Sequence, residues 1–393
     1  MKFLHIQFTS QYTEGMTYQE NQLPPEMVKL GHEVYFWGTC IARIDSELKN
    51  VQSGEERLED GVILRRFPYV RVLNNLLTNK LKYVSGVYKE LEKLNPDMIM
   101  VHDFQTMSGH AIVKYVKDHP HVQMVADSHT DKYNSARNFL SKYILHKMLF
   151  RPIAKKIQKH SKKIYYLSAE VKEFLLDIYK MEEYNLSLLP LGGNLLDEKI
   201  YQFYRGKRRE ELGMEEYSVL VMHSGKLDKG KKTKDLLDAF GEIKDENTIL
   251  IIIGKLMDDT EKEIKEAVDN DNRNKRIRYL GWKTGTELLE YLCAADIYVQ
   301  PGTPSATLQN AACCRCAIIT YPHVGYQKEI MKDSALYAAN KEELGEKLKN
   351  LITDRECLAT MKKKAEMVAC TLLDYRKQAK DICQIYNGQY ERN

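Results

Sequence analysis

The sequence predicts an α/β protein made of two doubly wound domains, each built on a parallel sheet. The chain has 393 residues, which is too many for one ordinary core, since a domain typically holds about 150. Short apolar runs typical of strands alternate with amphipathic helical stretches, which is the pattern of βαβ units. This pattern restarts after Gly192 and Gly193, so we expect one set of strands on each side of about residue 200.

The individual elements follow from these patterns. Ten apolar runs are predicted as strands, at residues 3–8, 33–37, 98–101, 122–126, 164–167, 218–222, 249–253, 277–280, 297–299 and 317–320. Helical periodicity is clearest at residues 21–29, 80–94, 141–159 and 235–243, and the chain is helical and charged from residue 344. We expect an N-terminal domain over residues 1–195, a C-terminal domain over 196–370, and a helix over 371–393 that packs back on the N-terminal domain.

Composition limits the class of protein. Hydrophobic residues make up 43% and charged residues 29%, a mixture that argues against disordered and low-complexity chains. No stretch approaches the roughly 20 apolar residues of a spanning helix, and the opening residues 1–8 lack the features of a signal peptide. We therefore expect a cytoplasmic protein that attaches, if at all, to the inner face of the plasma membrane.

The eight cysteines do not predict a disulfide framework in a chain of this size. Cys313, Cys314 and Cys316 crowd into one apolar run, which raises the question of a metal site. A second ligand pair at zinc-like spacing is missing, so we expect buried free thiols.

Three polar loops follow predicted strands, at the sheet edge where doubly wound domains bind ligands. The first, residues 9–21, has Gly15 just before a helix; the second, residues 223–232, has Gly225 and four lysines; the third is residues 300–312. Neither a Rossmann G-x-G-x-x-G nor a P-loop is present. Glycines, lysines and hydroxyls at three strand ends together favour an anionic, phosphorylated ligand.

The order of these motifs resembles that of retaining glycosyltransferases of the GT-B architecture, of the family 4 type. The resemblance covers nearly the whole chain. It is carried by MKFLHI at the start, Gly31-His-Glu-Val34, Pro96-Asp-Met-Ile-Met-Val-His102, the basic loop of residues 225–240, and the stretch of residues 294–319. The resemblance implies two Rossmann-like domains that face each other across a cleft. It makes the N-terminal domain, residues 1–195, the acceptor side and the C-terminal domain, residues 196–370, the nucleotide-sugar-binding domain.

The resemblance also implies roles for individual residues. Lys226 and Lys231 fall on the positions of an arginine and a lysine that bind the donor diphosphate and stabilise the leaving group. Gly302 and Asn310 fall on the positions of two glutamates, so the first carboxylate is missing, although Asn310 can still bind a ribose hydroxyl. Four further positions contact the donor: His129 near the reacting carbon, Gly15 and Gly225 near phosphate, and Trp282 near the base. Thr303, Ser305 and Thr307 are expected to hold sugar and phosphate in place of the missing carboxylate.

The resemblance implies transfer of a hexose-type sugar from a nucleotide-sugar to a glycan or lipid-linked acceptor, with retention and without cofactor or metal. Assembly of a surface or capsular polysaccharide is the expected setting. Replacement of the arginine and the glutamates leaves open a non-catalytic nucleotide-sugar-binding or scaffold protein. An epimerase is a third alternative, but no dedicated acid–base carboxylates support it.

A basic stretch predicts an anionic partner. Residues 132–169 carry ten lysines and arginines and no acidic residue. Within it, residues 137–163 interleave cations with Leu140, Tyr143, Ile144, Leu149, Phe150 and Ile153. This is typical of an amphipathic helix on anionic lipid, and equally of a core helix with a solvated lysine face. Nucleic acid is not expected, because no recognised nucleic-acid motif accompanies the charge.

Overall fold

The computed structural model describes residues 1–16, 18–44, 47–132, 134–136, 138–257, 260–271, 275–386 and 388. The chain divides into two compact units. The first comprises residues 1–190 and 378–393, and the second comprises residues 191–377.

The first unit is built on an eight-stranded sheet in the order β10-β9-β8-β7-β1-β2-β6-β5. Its strands are β1 (Lys2–Ile6), β2 (Glu33–Thr39), β5 (Gly54–Arg57), β6 (Ile63–Phe67), β7 (Met98–His102), β8 (Gln123–Ser128), β9 (Lys163–Tyr166) and β10 (Leu186–Leu188). All neighbours are parallel except β5 and β6, and β3 (Ile41–Ile44) and β4 (Glu47–Asn50) form a separate antiparallel hairpin. All five residues of the central strand β7 are buried, as expected for a parallel strand covered on both faces.

Helices connect these strands. They are α1 (Gln19–Lys29), α2 (Asn75–Leu81), α3 (Val87–Leu94), α4 (Gly109–Asp118), α5 (Arg151–His160) and α6 (Ala169–Asp177). A π-helical segment, Leu140–Phe150, runs directly into α5, and Glu183–Asn185 forms a 3-10 turn. The predicted helix over residues 141–159 is therefore helical throughout.

The single helix predicted over residues 80–94 is wrong, because two helices, α2 and α3, occupy this region. Lys82 ends α2 in the left-handed conformation and its ammonium donates to the carbonyl of Thr9. Gly86, also left-handed, precedes α3. Glycine weakens a helix and tolerates positive φ, so the chain turns here although the apolar periodicity continues.

The second unit has a six-stranded parallel sheet in the order β13-β12-β11-β14-β15-β16. Its strands are β11 (Val219–Leu227), β12 (Thr248–Leu256), β13 (Ile277–Tyr279), β14 (Ile297–Gln300), β15 (Ala317–Thr320) and β16 (Leu336–Tyr337). The strand predicted over residues 249–253 lies in the buried part of β12. In both units the chain order reverses beside the first strand, as in Rossmann-like doubly wound sheets.

Helices and short turns complete the described chain. The helices are α7 (Glu198–Glu211), α8 (Thr233–Gly241), α9 (Glu261–Asn270), α10 (Gly285–Ala294), α11 (Thr307–Cys313), α12 (Lys341–Thr353), α13 (Arg355–Val368) and α14 (Tyr375–Tyr386). Tyr326–Ile330 and Ala369–Leu373 are π-helical, and Lys229–Lys231 and Lys332–Ser334 are 3-10 turns. Cys313, Cys314 and Cys316 are buried free thiols, as predicted. No helix among the described residues is long and apolar enough to cross a bilayer.

A buried ion-pair cluster holds the amino end of β14. The Asp296 carboxylate lies 2.7 Å from Arg205 Nη2, 3.1 Å from Arg209 Nη1 and 3.0 Å from Lys362 Nζ. It also accepts a hydrogen bond from the backbone N–H of Leu220. Burial alone would raise the pKa of Asp296, but these three cations and the backbone N–H hold it well below the usual range. Asp296 therefore ties α7 and α13 to the sheet, at the end of β14 opposite the loop of residues 300–312.

We expect Asp296→Asn to destabilise the protein by about 3–5 kcal/mol, because it leaves three cations without their counter-charge. The carboxylate's contribution is present above its unfolded-state pKa near 4 and falls as the pH drops towards its depressed folded pKa. Denaturant unfolding at pH 7 and at about pH 2.5 measures both effects. The exposed control Asp238→Asn, which breaks a surface pair with Lys234, should cost less than about 1 kcal/mol. Equal costs for the two variants would contradict this account.

Candidate functional site

The polar loops of the second unit lie at the carboxyl ends of β11 and β14. Lys231 is buried, and its ammonium donates to the carbonyls of Thr303 at 2.8 Å and Pro304 at 3.2 Å. Gly302 packs so closely on the turn Lys229–Lys231 that a Cβ there would lie 2.0 Å from the carbonyl oxygen of Gly230. The N–H of Thr303 also donates to Gly230 at 2.8 Å. The loop after β14 is thus held against the loop after β11.

The absence of a side chain is also required at Gly225. It has φ +143°, and a Cβ there would meet the Lys231 side chain at 3.2 Å. On the neighbouring strand, a Cβ at Gly254 would lie 1.8 Å from the carbonyl oxygen of Gly225. Lys226 follows Gly225 on β11 and is exposed, whereas Lys231 is buried. Burial lowers the pKa of Lys231, which Asp228 partly opposes.

The remaining predicted residues of the second unit lie on the same sheet edge. Ser305 Oγ donates to Gln300 Oε1 at 3.3 Å, and Gln300 Nε2 donates to the carbonyl of Thr303 at 2.6 Å. Asn310 Oδ1 accepts from the backbone N–H of Asn194 at 3.1 Å, so this amide already has a partner. Thr307 begins α11, and Trp282 follows β13 with 71% of its surface exposed. Gln300, which sequence reasoning did not single out, is buried and organises the loop.

In the first unit, three side chains fix the loop after β1. The buried guanidinium of Arg66 donates to the carbonyl of Tyr12 at 3.1 Å, Tyr69 OH donates to the carbonyl of Phe8, and Lys82 donates to that of Thr9. The loop leads through Gly15, which has φ +71° and is exposed, to α1 at Gln19. These anchors come from distant parts of the sequence, so the sequence pattern did not reveal them.

His129 lies at the end of a buried chain of polar side chains. His5 Nδ1 is 3.0 Å from His102 Nε2, and His102 Nδ1 is 2.7 Å from Asp127 Oδ2. The other carboxylate oxygen, Asp127 Oδ1, lies 3.7 Å from His129 Nε2. Neither of these last two atoms has a hydrogen-bond partner among the described residues. The backbone N–H of His129 donates to Asp103 Oδ1 at 2.9 Å, which fixes the loop.

The charges of this chain follow from its geometry. Burial alone would lower the pKa of His129, but the carboxylates of Asp127 and Asp103 raise it to about 9. His129 therefore carries a positive charge at neutral pH. Burial alone would raise the pKa of Asp127, but His102 and His129 hold it well below its usual range. A partly exposed cation at the end of a parallel strand suits an anionic or oxygen-rich ligand.

His102, Asp127 and His129 are also close enough to be weighed as metal ligands, because their ligand atoms lie within 4.8 Å of one another. Two of these atoms already share a short hydrogen bond, and His102 Nε2 is engaged by His5. A metal bound to either ring nitrogen of His102 would have to break one of these contacts. The expectation of a metal-free site remains a prediction, as do the roles of the individual site residues.

The basic stretch divides into two parts. In α5, Ile153, Ala154 and Ile157 are buried, as in an ordinary core helix. The π-helical segment before it instead exposes large apolar side chains: Leu140 is 62% exposed and Met148 68% exposed. Phe139, just before the segment, is 74% exposed. Arg137, the first residue of the predicted amphipathic stretch, lies outside the described residues.

Comparison with known proteins agrees with this architecture. Residues 205–368, within the second unit, match the family described as "Glycosyl transferases group 1". The match covers most of the second unit. A search of curated proteins found no match to the chain.

Solved structures resemble the chain over nearly its full length. Sucrose-phosphate synthase from Thermosynechococcus elongatus is 16% identical with a TM-score of 0.67, covering 98% of both chains. Anabaena HepE in complex with UDP and glucose is 14% identical with a TM-score of 0.64, covering 99% of this chain and 100% of that one. WaaG, a glycosyltransferase involved in lipopolysaccharide biosynthesis, is 15% identical with a TM-score of 0.59, covering 97% and 99%. The predicted GT-B fold is thereby confirmed.

We expect the Asp127→Asn substitution to lower the pKa of His129 from about 9 to below its ordinary value near 6.5, because burial then acts against a weaker counter-charge. Histidine ring signals followed by NMR across pH 5 to 10 measure the change. The control Asp60→Asn removes an exposed carboxylate of the same unit and should leave His129 unchanged. A wild-type His129 that titrates near 6.5 would rule out the ion pair.

We expect Gly302→Ala to displace the loop after β14, because its Cβ would overlap the Gly230 carbonyl. The variant should lower the melting temperature and weaken nucleoside diphosphate binding at least tenfold, measured by calorimetry. The control Gly206→Ala lies inside α7 with no atom within 4 Å of its Cβ, and should stabilise by about 0.5–1 kcal/mol. Unchanged stability and binding in Gly302→Ala would show that the close approach is not needed.

Proposed function

We propose that the chain is a retaining glycosyltransferase that moves a hexose-type sugar from a nucleotide-sugar to a glycan or lipid-linked acceptor. The observation that carries the proposal is the pair of loops joined by Lys231 and Gly302. They lie within the residues that match the glycosyltransferase group 1 family, at the sheet edge where doubly wound units bind ligands. HepE, which shares the fold, was solved with UDP and glucose and with UDP-glucose, which supports a nucleotide-sugar donor.

In the proposed reaction, the bond between the anomeric carbon of the donor sugar and the diphosphate oxygen breaks. The acceptor hydroxyl oxygen bonds to that carbon on the same face, and its proton passes to the departing phosphate. Lys226 contributes an exposed cation to the leaving diphosphate, while Lys231 fixes the loop that presents N–H and hydroxyl donors. The imidazolium of His129 offers a charged donor to the transferred sugar or its phosphate.

No carboxylate stands at Gly302 or Asn310, so the second unit would hold the sugar with neutral groups. Thr303 is exposed on the loop that Lys231 holds, and Ser305 and Thr307 follow it in the sequence. Asn310 carries an amide whose oxygen is engaged by Asn194, which leaves its NH₂ group as the donor for a ribose hydroxyl. Neutral donors suit sugar hydroxyls but stabilise positive charge on the sugar less than a carboxylate does.

The alternative is a non-catalytic nucleotide-sugar-binding or scaffold protein. One observation favours it: both Lys231 and Asn310 are already bound to backbone groups of their own unit. A thermal-shift screen with nucleoside diphosphates and nucleotide-sugars, followed by a donor-hydrolysis assay, separates the two. Stabilisation with slow release of sugar supports the transferase, stabilisation without turnover the binding protein, and no shift with any nucleotide contradicts both.

The proposed setting is assembly of a surface or capsular polysaccharide at the cytoplasmic face of the plasma membrane. WaaG, of the same fold, is described as involved in lipopolysaccharide biosynthesis. The exposed apolar side chains of the π-helical segment, among lysines and without an acidic residue between 132 and 169, are the support from this chain. Donor, acceptor and membrane are the proposed partners, without nucleic acid.

We expect Lys226→Ala to weaken nucleoside diphosphate binding about tenfold or more without changing the melting temperature, because this lysine is exposed. Lys231→Ala should weaken binding and also lower the melting temperature, because it removes the cation that joins two loops. Calorimetry and thermal unfolding give both quantities. Lys234→Ala, on α8, is the control and should match the wild type. Unchanged affinity in both Lys226→Ala and Lys231→Ala would reject the diphosphate site.

We expect the chain to bind vesicles containing anionic lipid, with binding that falls as salt rises, because lysine–lipid attraction is screened. Replacing Leu140 and Met148 together by serine should reduce cosedimentation several-fold, since both side chains are exposed on the same segment. Leu30→Ser, an exposed apolar residue at the end of α1, is the control. Equal binding to neutral and anionic vesicles would reject the electrostatic part of the account.

A further inference from the structure

The first unit contains a cavity of about 390 Å³ between α2 and the π-helical segment Leu140–Phe150. Its walls are mostly amides, hydroxyls and lysines, chiefly Asn79, Lys80, Lys82, Gln105, Asn134 and Ser141. Among the described residues that line it, none is acidic. Amides and hydroxyls recognise sugar hydroxyls, and lysines without competing carboxylates favour an anion.

The cavity adjoins the loops already described in the first unit. Asn134, on its wall, donates to the backbone carbonyl of His129 at 2.9 Å. Gln105 donates to Thr130 Oγ1 at 2.6 Å, and Lys82 donates to the carbonyl of Thr9 in the loop after β1. A molecule in the cavity would therefore lie beside the loop that presents His129.

His146, in one buried wall of the cavity, does not contribute to the charge of the cavity. His146 Nδ1 lies 2.9 Å from Tyr179 OH, and burial together with the charges of Lys82 and Lys80 lowers the pKa of His146 to about 4. The histidine is neutral at pH 7, so the positive charge of the cavity comes from the lysines.

Exposed apolar side chains lie on or beside the two helical segments that contribute walls to the cavity. The helices that form two of its walls carry Leu76, Leu140, Tyr143, Ile144 and Met148, all exposed, and Phe139 precedes the π-helical segment. We call these six residues the apolar rim. On the π-helical segment, Ser141 and Leu145 line the cavity while Leu140, Ile144 and Met148 belong to the rim. Residues that line the cavity thus alternate along this segment with exposed apolar residues.

We propose that this cavity binds the phosphate and adjoining sugar of a lipid-linked acceptor, whose lipid chain lies along the apolar rim. The inference rests on the proposed transferase function and narrows its acceptor to an anionic lipid-linked glycan. A neutral glycan would leave the charge of Lys80 without use, and a soluble phosphosugar would leave the rim uncovered. A lipid-linked phosphate matches both features beside His129.

The test uses farnesyl phosphate as a short lipid phosphate, compared with farnesol and inorganic phosphate. Titrations of the full chain without nucleotide, followed by calorimetry, give the affinities. We expect farnesyl phosphate to bind at least tenfold more tightly than either fragment. Lys80→Ala, which removes one cation, and Ser141→Phe, which fills the cavity, should each weaken it about tenfold. The control Lys117→Ala removes an exposed lysine on α4 of the same unit and should leave the affinity unchanged.

Melting temperatures confirm that each variant is folded. The two cavity variants test different properties of the site, because Lys80→Ala removes charge and Ser141→Phe removes space. Equal affinity for farnesol and farnesyl phosphate would overturn phosphate recognition. Wild-type affinity for farnesyl phosphate in both Lys80→Ala and Ser141→Phe would overturn the site. Nucleoside diphosphate binding is measured on the same samples: its absence in the wild type contradicts the transferase, whereas normal nucleotide binding with unaffected cavity variants contradicts this inference alone.

Discussion

The loops of the second unit depend on one buried cation. Lys231 places its ammonium against the carbonyls of Thr303 and Pro304, and the backbone at Gly302 approaches the Lys229–Lys231 turn too closely for any side chain. A buried ammonium is costly unless hydrogen-bonded, so the contact orients both loops together. Lys226, exposed on β11, is then free of this structural task and suited to an anionic ligand. The resemblance assigns diphosphate binding to both lysines, whereas here Lys231 holds the loop and only Lys226 is exposed to bind a ligand.

The first unit uses a carboxylate in a similar way. Asp127 is buried between His102 and His129, and its charge keeps His129 protonated at the end of β8. The loop that carries His129 also borders the polar cavity, through Asn134 and Thr130. Each unit therefore presents a cation at the carboxyl ends of its strands, fixed by groups buried behind it. In the account proposed here, one serves the donor diphosphate and the other the sugar and acceptor.

The fold was predictable from the sequence because strand and helix periodicities are local, and the restart of the pattern after Gly193 showed two units. The break between α2 and α3 could not be predicted, because it is accompanied by a contact between residues distant in sequence. The ammonium of Lys82 donates there to the carbonyl of Thr9. Residue types at the strand ends indicated a phosphorylated ligand. The division of roles between Lys226 and Lys231, and the Asp127–His129 pair, depend on burial and on partners distant in sequence. Asp296 holds the opposite end of its strand through partners on α7 and α13, which are distant in sequence.

We propose that the chain transfers sugar from a nucleotide-sugar with retention. The most direct measurement is proton NMR of the purified chain with a panel of nucleotide-sugars, recording nucleoside diphosphate and the anomeric signal of the first sugar released or transferred. The account predicts that at least one donor is consumed and that its new anomeric signal has the donor's configuration. An inverted first product would contradict retention, and binding of a donor without any consumption would contradict catalysis.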